Sequence, residues 1–111
     1  MTTRAEAPPE VEQLLDVFKA LANPVRLRIL GWLRDPEKNF LEQRGAMVVD
    51  EGVCVTHIQE KAGLAQSTVS AYMASLQRAG LVRATRLGKW THYRRDEERI
   101  ARIVEILGHS L

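Results

Sequence analysis

The chain has a single cysteine, Cys54, among its 111 residues. One thiol cannot build an intrachain disulfide framework, and it fits a reducing compartment. No apolar run approaches the roughly 18 to 20 residues that a membrane-spanning helix needs. Met1 to Glu10 is short and polar with two prolines, which is not the pattern of a signal peptide. A cytoplasmic protein with no membrane partner is the expectation. There is no internal repeat at periods of about 20 to 50 residues and no low-complexity tract. Enzymatic chemistry finds little to use. His57, His92 and His109 fall on three different predicted elements, with no paired carboxylate, nucleophile motif or phosphate-binding loop. The chain is therefore not expected to be an enzyme.

A further absence is of charge of one sign. Hydrophobic residues make up 45% and charged residues 27%, as in one compact globular domain, and the formal net charge is only +2. From Lys61 to Arg95, however, there is no acidic residue at all. That stretch carries Lys61, Arg78, Arg83, Arg86, Lys89, Arg94 and Arg95, a balance of +7 with His92 in addition. The other residues hold nine bases against fourteen acids, a balance of −5. Such sign asymmetry inside one small domain points to a polyanion bound on one face.

Periodicity then places the elements. Val11, Leu14, Leu15, Phe18 and Leu21 recur at helical spacing and predict a helix over Glu10 to Ala22. Asn23-Pro24, a capping residue followed by a first-turn proline, predicts a second helix to about Arg34, with Val25, Ile29, Leu30 and Leu33 inward and Arg26 and Arg28 off the stripe. Asp35-Pro36 stops it. Residues 36–51 form an inserted segment with three open readings: a loop, a short helix over Asn39 to Arg44, or a strand at Met47 to Val49. Val53 to Ala62 reads as a short helix ended by Gly63, and Gln66 to Ala79 as another ended by Gly80. Val69, Met73 and Leu76 give that second helix its inward stripe.

Two short helices joined by a glycine-containing turn make a helix-turn-helix. The outward residues of the second are Gln66, Ser67, Ser70, Ala71, Ser75, Gln77 and Arg78: small or hydrogen-bonding side chains without an acid, suited to a duplex groove. Leu81 to Leu87 and Trp90 to Arg94 read as strands joined by a glycine-first turn at Gly88-Lys89, a hairpin with basic residues at its tip. Asp96 to Leu111 closes the chain as a helix with Ile100, Ile103, Val104 and Leu107 on one side and Asp96, Glu97 and Glu98 in its first turn. The fold class expected is mainly α with a small β-hairpin. Residues 1–9 form a flexible tail and residues 10–111 a single DNA-binding domain.

Three blocks carry a resemblance to a known family. They are Phe18-Lys19-Ala20-Leu21-Ala22-Asn23-Pro24-Val25-Arg26-Leu27-Arg28-Ile29-Leu30; Gly63-Leu64-Ala65-Gln66-Ser67-Thr68-Val69-Ser70 with Leu76 and Ala79-Gly80-Leu81-Val82; and Gly88-Lys89-Trp90 with Tyr93. In order and spacing the chain resembles the ArsR/SmtB family of bacterial winged helix-turn-helix repressors over about residues 11 to 108. The resemblance implies a homodimer, joined through first and last helices, that leaves its DNA when an inducer, often a soft metal ion, binds. The apolar surface of Ile100, Ile103, Val104, Ile106, Leu107 and Leu111 exceeds what a terminal helix on a small domain needs, which agrees. Double-stranded DNA carrying a palindromic operator is the expected partner, with recognition helices about 34 Å apart.

Departures from the family pattern sharpen the site. Ala71 and Tyr72 stand where Arg or Gln and then His are common, so Gln66, Ser67, Thr68 and Ser70 are the expected DNA-reading residues. Arg78, Arg83, Arg86 and Lys89 are the expected backbone contacts. Ala65 replaces the usual serine cap, a loss of roughly 1 kcal/mol. The family's Cys-Val-Cys-Asp metal motif is here Cys54-Val55-Thr56-His57, with one sulfur where soft-metal binding needs two or three. At the family's second metal site stand Glu97, Arg99 and Ser110, with His109 one residue out of phase. No metal site or other cofactor is assigned. Cys54 and His57 remain as the candidate sensor, either a reactive thiol beside an imidazole, a two-residue metal site, or simply a packed cysteine. A winged-helix module that binds protein rather than DNA is the alternative function, and the acid-free +7 segment argues against it.

Overall fold

The computed structural model describes residues 9–40 and 50–111. The flexible tail expected over residues 1–9, Pro9 apart, and most of the inserted segment lie outside the described residues. Six α-helices and three strands are formed among them: α1 (Pro9–Leu21), α2 (Pro24–Arg34), α3 (Pro36–Asn39), β1 (Val53–Cys54), α4 (Val55–Ala62), α5 (Gln66–Arg78), β2 (Val82–Leu87), β3 (Trp90–Arg95) and α6 (Glu97–Ser110).

Local chemistry sets most boundaries. The Asn23 side chain accepts from the backbone N–H of Val25 at 2.9 Å and of Arg26 at 3.0 Å, and Pro24 occupies the first turn of α2. Gly63 ends α4 in the left-handed conformation. Gly80 does the same after α5 and completes a Schellman closure. Its N–H donates to Gln77 O at 2.9 Å and that of Leu81 to Leu76 O at 3.0 Å. Its φ of +80° is one that a side chain bearing Cβ adopts only with strain. Asp96 caps α6 by accepting from Arg99 N–H at 3.0 Å.

Several expectations are corrected. Val53 and Cys54 do not open a helix; they form β1, an edge strand that pairs antiparallel with β3 through Val53↔Tyr93 and Cys54↔His92. The sheet therefore has three strands in the order β1-β3-β2, not two. In the inserted segment a helix forms over Pro36–Asn39, where Asp35 caps it and Pro36 opens it, while the helix considered over Asn39 to Arg44 falls mostly outside the described residues. Residues 41–49, including the strand considered at Met47 to Val49, lie outside the described residues. Helix α1 buries Leu14, Val17 and Ala20, whereas Val11, Leu15 and Phe18 of the expected stripe stay exposed.

The core is built where α2, α4, α5 and the sheet meet. Ile29, Ile58, Val53, Val69, Met73 and Leu76 are fully buried there, with Tyr93 and Ile103 closing it. Helix α4 rests on α5 and on β1, which fixes the helix-turn-helix against the sheet. Phe40, buried, meets Trp32 edge-on with ring centroids 6.4 Å apart, and the Lys61 ammonium lies 5.0 Å from the Trp32 ring. Among the described residues no helix is long and apolar enough to cross a membrane.

Candidate nucleic-acid interface

Helix α5 turns Val69, Met73 and Leu76 into the core and leaves Gln66, Ser67, Ser70, Ala71, Gln77 and Arg78 exposed. Thr68 is half-buried. No acidic residue lies in the first turn, and Ala65 offers no side-chain acceptor to the first amides, as its identity predicts. Those N–H groups and the positive end of the helix dipole open toward solvent beside the polar side chains. Tyr72 is half-buried and packs back on the body: Asn23 Nδ2 reaches its hydroxyl at 3.5 Å, and the Arg26 guanidinium lies 5.2 Å from its ring centroid.

The hairpin of β2 and β3 follows as a wing, in register from Val82↔Arg95 to Leu87↔Trp90. Arg86 and Lys89 are exposed near its tip, and Arg86 Nε donates to Gly88 O at 3.1 Å, which braces the turn. Arg83 is exposed but pairs with Asp96 at 3.4 Å. Arg95 pairs with Glu97 at 3.0 Å, and Lys61 faces the aromatic pair on the other side of α4. The acid-free stretch thus divides into two sets. Arg78, Arg86, Lys89 and Arg94 have no carboxylate within 4.0 Å among the described residues, whereas Arg83 and Arg95 already have one.

Cys54 is buried, at the N-terminal boundary of α4, and its Sγ lies 3.2 Å from Thr56 Oγ1. The expected i, i+3 relation with His57 on one helix is corrected, because Cys54 belongs to β1 and only His57 to α4. The residue directly across the sheet from Cys54 is His92. Both imidazoles keep a buried Nδ1 without a hydrogen-bond partner. No group of three or more His, Cys, Asp or Glu side chains able to hold a metal occurs among the described residues.

Sequence reasoning missed the role of Arg26. Arg26 Nε donates to Ala20 O at 2.7 Å and Nη2 to Lys19 O at 3.0 Å, closing the end of α1 while covering Tyr72 of α5. The run Asn23-Pro24-Val25-Arg26 held the signal: an arginine in the first turn of a helix that directly follows another helix end.

Comparison with known proteins agrees with this geometry. The family model of the IclR helix-turn-helix domain matches residues 49–86, a stretch that contains β1, α4, α5 and most of β2. The chain is 46% identical over 93 residues to the HTH-type transcriptional regulator YbzH of Bacillus subtilis, covering 84% of this chain and 93% of that one. It is also similar to the crystal structure of a possible transcriptional regulatory protein from Mycobacterium bovis, with 30% identity, 95% and 97% of the two chains covered and a TM-score of 0.66. A solution structure from the same organism, of a homodimeric winged helix-turn-helix DNA-binding domain from a possible ArsR-family regulator, matches at 28% identity and a TM-score of 0.62 over 97% and 89% of the two chains. With its element order, its exposed acid-free helix and its basic wing, the chain belongs to the ArsR/SmtB family of winged helix-turn-helix transcriptional regulators.

Proposed function

We propose that this regulator is a homodimeric repressor that grips a palindromic operator and releases it when an inducer is sensed. The observation that carries the reading is the continuous acid-free surface of α5 and the wing. Gln66, Ser67, Thr68 and Ser70 stand at the N-terminal end of a helix suited to the major groove, and Arg78, Arg86, Lys89 and Arg94 extend the positive field along it. Arg83 joins them where a phosphate replaces Asp96 as its partner. The polar set reads bases and the cationic set fixes register on the backbone.

The dimer is supported by a second surface. Val11, Leu15 and Phe18 form an exposed apolar strip along α1, and Val104 is 62% exposed on α6, which packs beside α1. Apolar side chains in such a strip are covered in assemblies with closed two-fold symmetry. The M. bovis neighbour is described as homodimeric, which supports a dimer.

Cys54 and His57 are the proposed sensor. Oxidation or alkylation of a buried thiol between β1 and α4 adds volume at the junction that carries the helix-turn-helix, and so displaces α5 from its DNA-reading pose. Mobility shifts on DNA from upstream of the gene, with and without a thiol oxidant, zinc and a chelator, test the whole reading. The expected result is a salt-sensitive, sequence-selective complex that a thiol reagent dissolves and Cys54→Ser protects. Equal affinity for a palindrome and random DNA across a salt series overturns the repressor reading. Alkylated protein with unchanged operator affinity overturns the sensor.

A further inference from the structure

Between α1 and α5, which pack together, lies a pocket of about 160 Å³ lined by Asp16, Lys19, Ser75, Arg78 and Ala79. It holds none of the proposed base-reading residues and shares no residue with the Cys54 and His57 pair. Ala79 is buried and Ser75 half-buried, while Asp16, Lys19 and Arg78 are exposed, so the pocket opens to solvent. Lys19 and Arg78 belong to the last turns of their helices.

The charges around this pocket are of both signs and do not neutralise one another. Among the described residues, neither Lys19 nor Arg78 places a nitrogen within 4.0 Å of a carboxylate, Asp16 included. A carboxylate that faces two cations across open space suits a molecule carrying both signs itself. Its ammonium goes to Asp16, and the negative ends of the α1 and α5 dipoles add to the attraction. Its carboxylate goes to Lys19 and to Arg78, whose planar fork takes a carboxylate through two parallel bonds. The Ser75 hydroxyl supplies a further hydrogen bond. One acid against two bases leaves a surplus of one positive charge, which a second carboxylate on the ligand neutralises. Size sets the upper limit. The volume is close to the roughly 150 Å³ of a cavity that takes up benzene, which suits a molecule of about six to nine heavy atoms.

We infer that this pocket binds a small acidic α-amino acid, held between Asp16 on one side and Lys19 and Arg78 on the other. Arg78 is also one of the proposed phosphate contacts, so a bound carboxylate and a DNA phosphate compete for one guanidinium. The amino acid therefore lowers affinity for DNA, and bound DNA lowers affinity for the amino acid by the same factor. This consequence, unlike the binding itself, rests on the operator-binding reading above.

Calorimetric titration of the full chain without DNA tests the site, with L-aspartate, succinate and glycine as probes. L-Aspartate is expected to saturate with a Kd at or below about 1 mM. Succinate, which keeps both carboxylates but lacks the ammonium, and glycine, which lacks the second carboxylate, each bind about tenfold more weakly. Arg78→Gln weakens L-aspartate by about tenfold, and Asp16→Asn makes it bind no better than succinate. Both residues are exposed, so both variants keep the fold, which circular dichroism checks. Anisotropy of fluorescein-labelled duplexes from upstream of the gene then reads the competition. Saturating L-aspartate weakens the complex by about five- to tenfold, and Asp16→Asn binds duplex at least as tightly as the parent but loses most of this response. No saturable heat with L-aspartate up to about 10 mM overturns the site. So does succinate or glycine matching L-aspartate in the parent, or L-aspartate binding both variants as it binds the parent. L-Aspartate that binds without changing duplex affinity overturns the competition. If no duplex raises the anisotropy even at low salt, the operator-binding reading itself falls, while the calorimetry still decides the pocket.

Discussion

The Arg26 guanidinium reaches back to the carbonyls of Lys19 and Ala20, which α1 leaves without helical donors, and lies over Tyr72 of α5. One side chain therefore ties the end of α1, the start of α2 and the DNA-reading helix together. Arg26→Ala is expected to lower unfolding free energy by about 1–2 kcal/mol, read as a lower urea midpoint at unchanged m-value. Arg26→Lys recovers little of this, because an ammonium cannot hold two carbonyls and lie flat on a ring at once. Gly52 is the second position at which one residue controls an element. Its φ is +110°, and a Cβ there would stand 2.0 Å from Tyr93 O, in the line along which β1 meets β3. Gly52→Ala must push the strands apart, so a loss of about 3 kcal/mol is expected, seen as a melting temperature lower by roughly 12 °C or more.

At the scale of elements, α5, like α4, starts without a side-chain cap, since Ala65 precedes Gln66. Ala65→Ser is expected to raise stability by about 0.5–1 kcal/mol in urea unfolding. The sequence shows this deficit directly, and it shows most of the helical frame for the same reason: caps and stops such as Asn23-Pro24, Gly63 and Gly80 act on their immediate neighbours. The two-residue strand β1 was not legible. It is too short to have a period, and its partners Tyr93 and His92 lie about forty residues away along the chain. Nor does helical periodicity say which apolar face of α1 meets its own core: Leu14 and Val17 do, whereas Leu15 and Phe18 do not. The proposed DNA-reading residues were legible as a polar, acid-free helix face. The partners of the basic residues were not, because Asp96 meets Arg83 only when the wing returns to α6.

At the scale of the whole molecule, the footprint on DNA and the dimer can be tested together. Each phosphate neutralised lowers log affinity by about 0.9 per decade of salt. If Arg78, Arg86, Lys89 and Arg94, the bases of α5 and the wing that pair with no carboxylate, make the contacts, a protomer has a slope of about −3.6 and a dimer about −7. Counting every base from Lys61 to Arg95 gives about −13 for the dimer instead, and requires Arg83 and Arg95 to leave their carboxylates and Lys61 its aromatic pair. Phe18→Glu combined with Val104→Glu places charge on the exposed apolar strip without touching the buried core or the wing. In sedimentation the pair is expected to convert the dimer to a folded monomer, because four like charges meet across a two-fold axis that previously buried four apolar side chains. The salt slope of that monomer should fall to about half the parent's, and its preference for a palindrome over a single half-site should disappear. A monomer that keeps the full slope would mean that both halves of the footprint lie on one protomer, and the two-fold arrangement of recognition helices would be wrong.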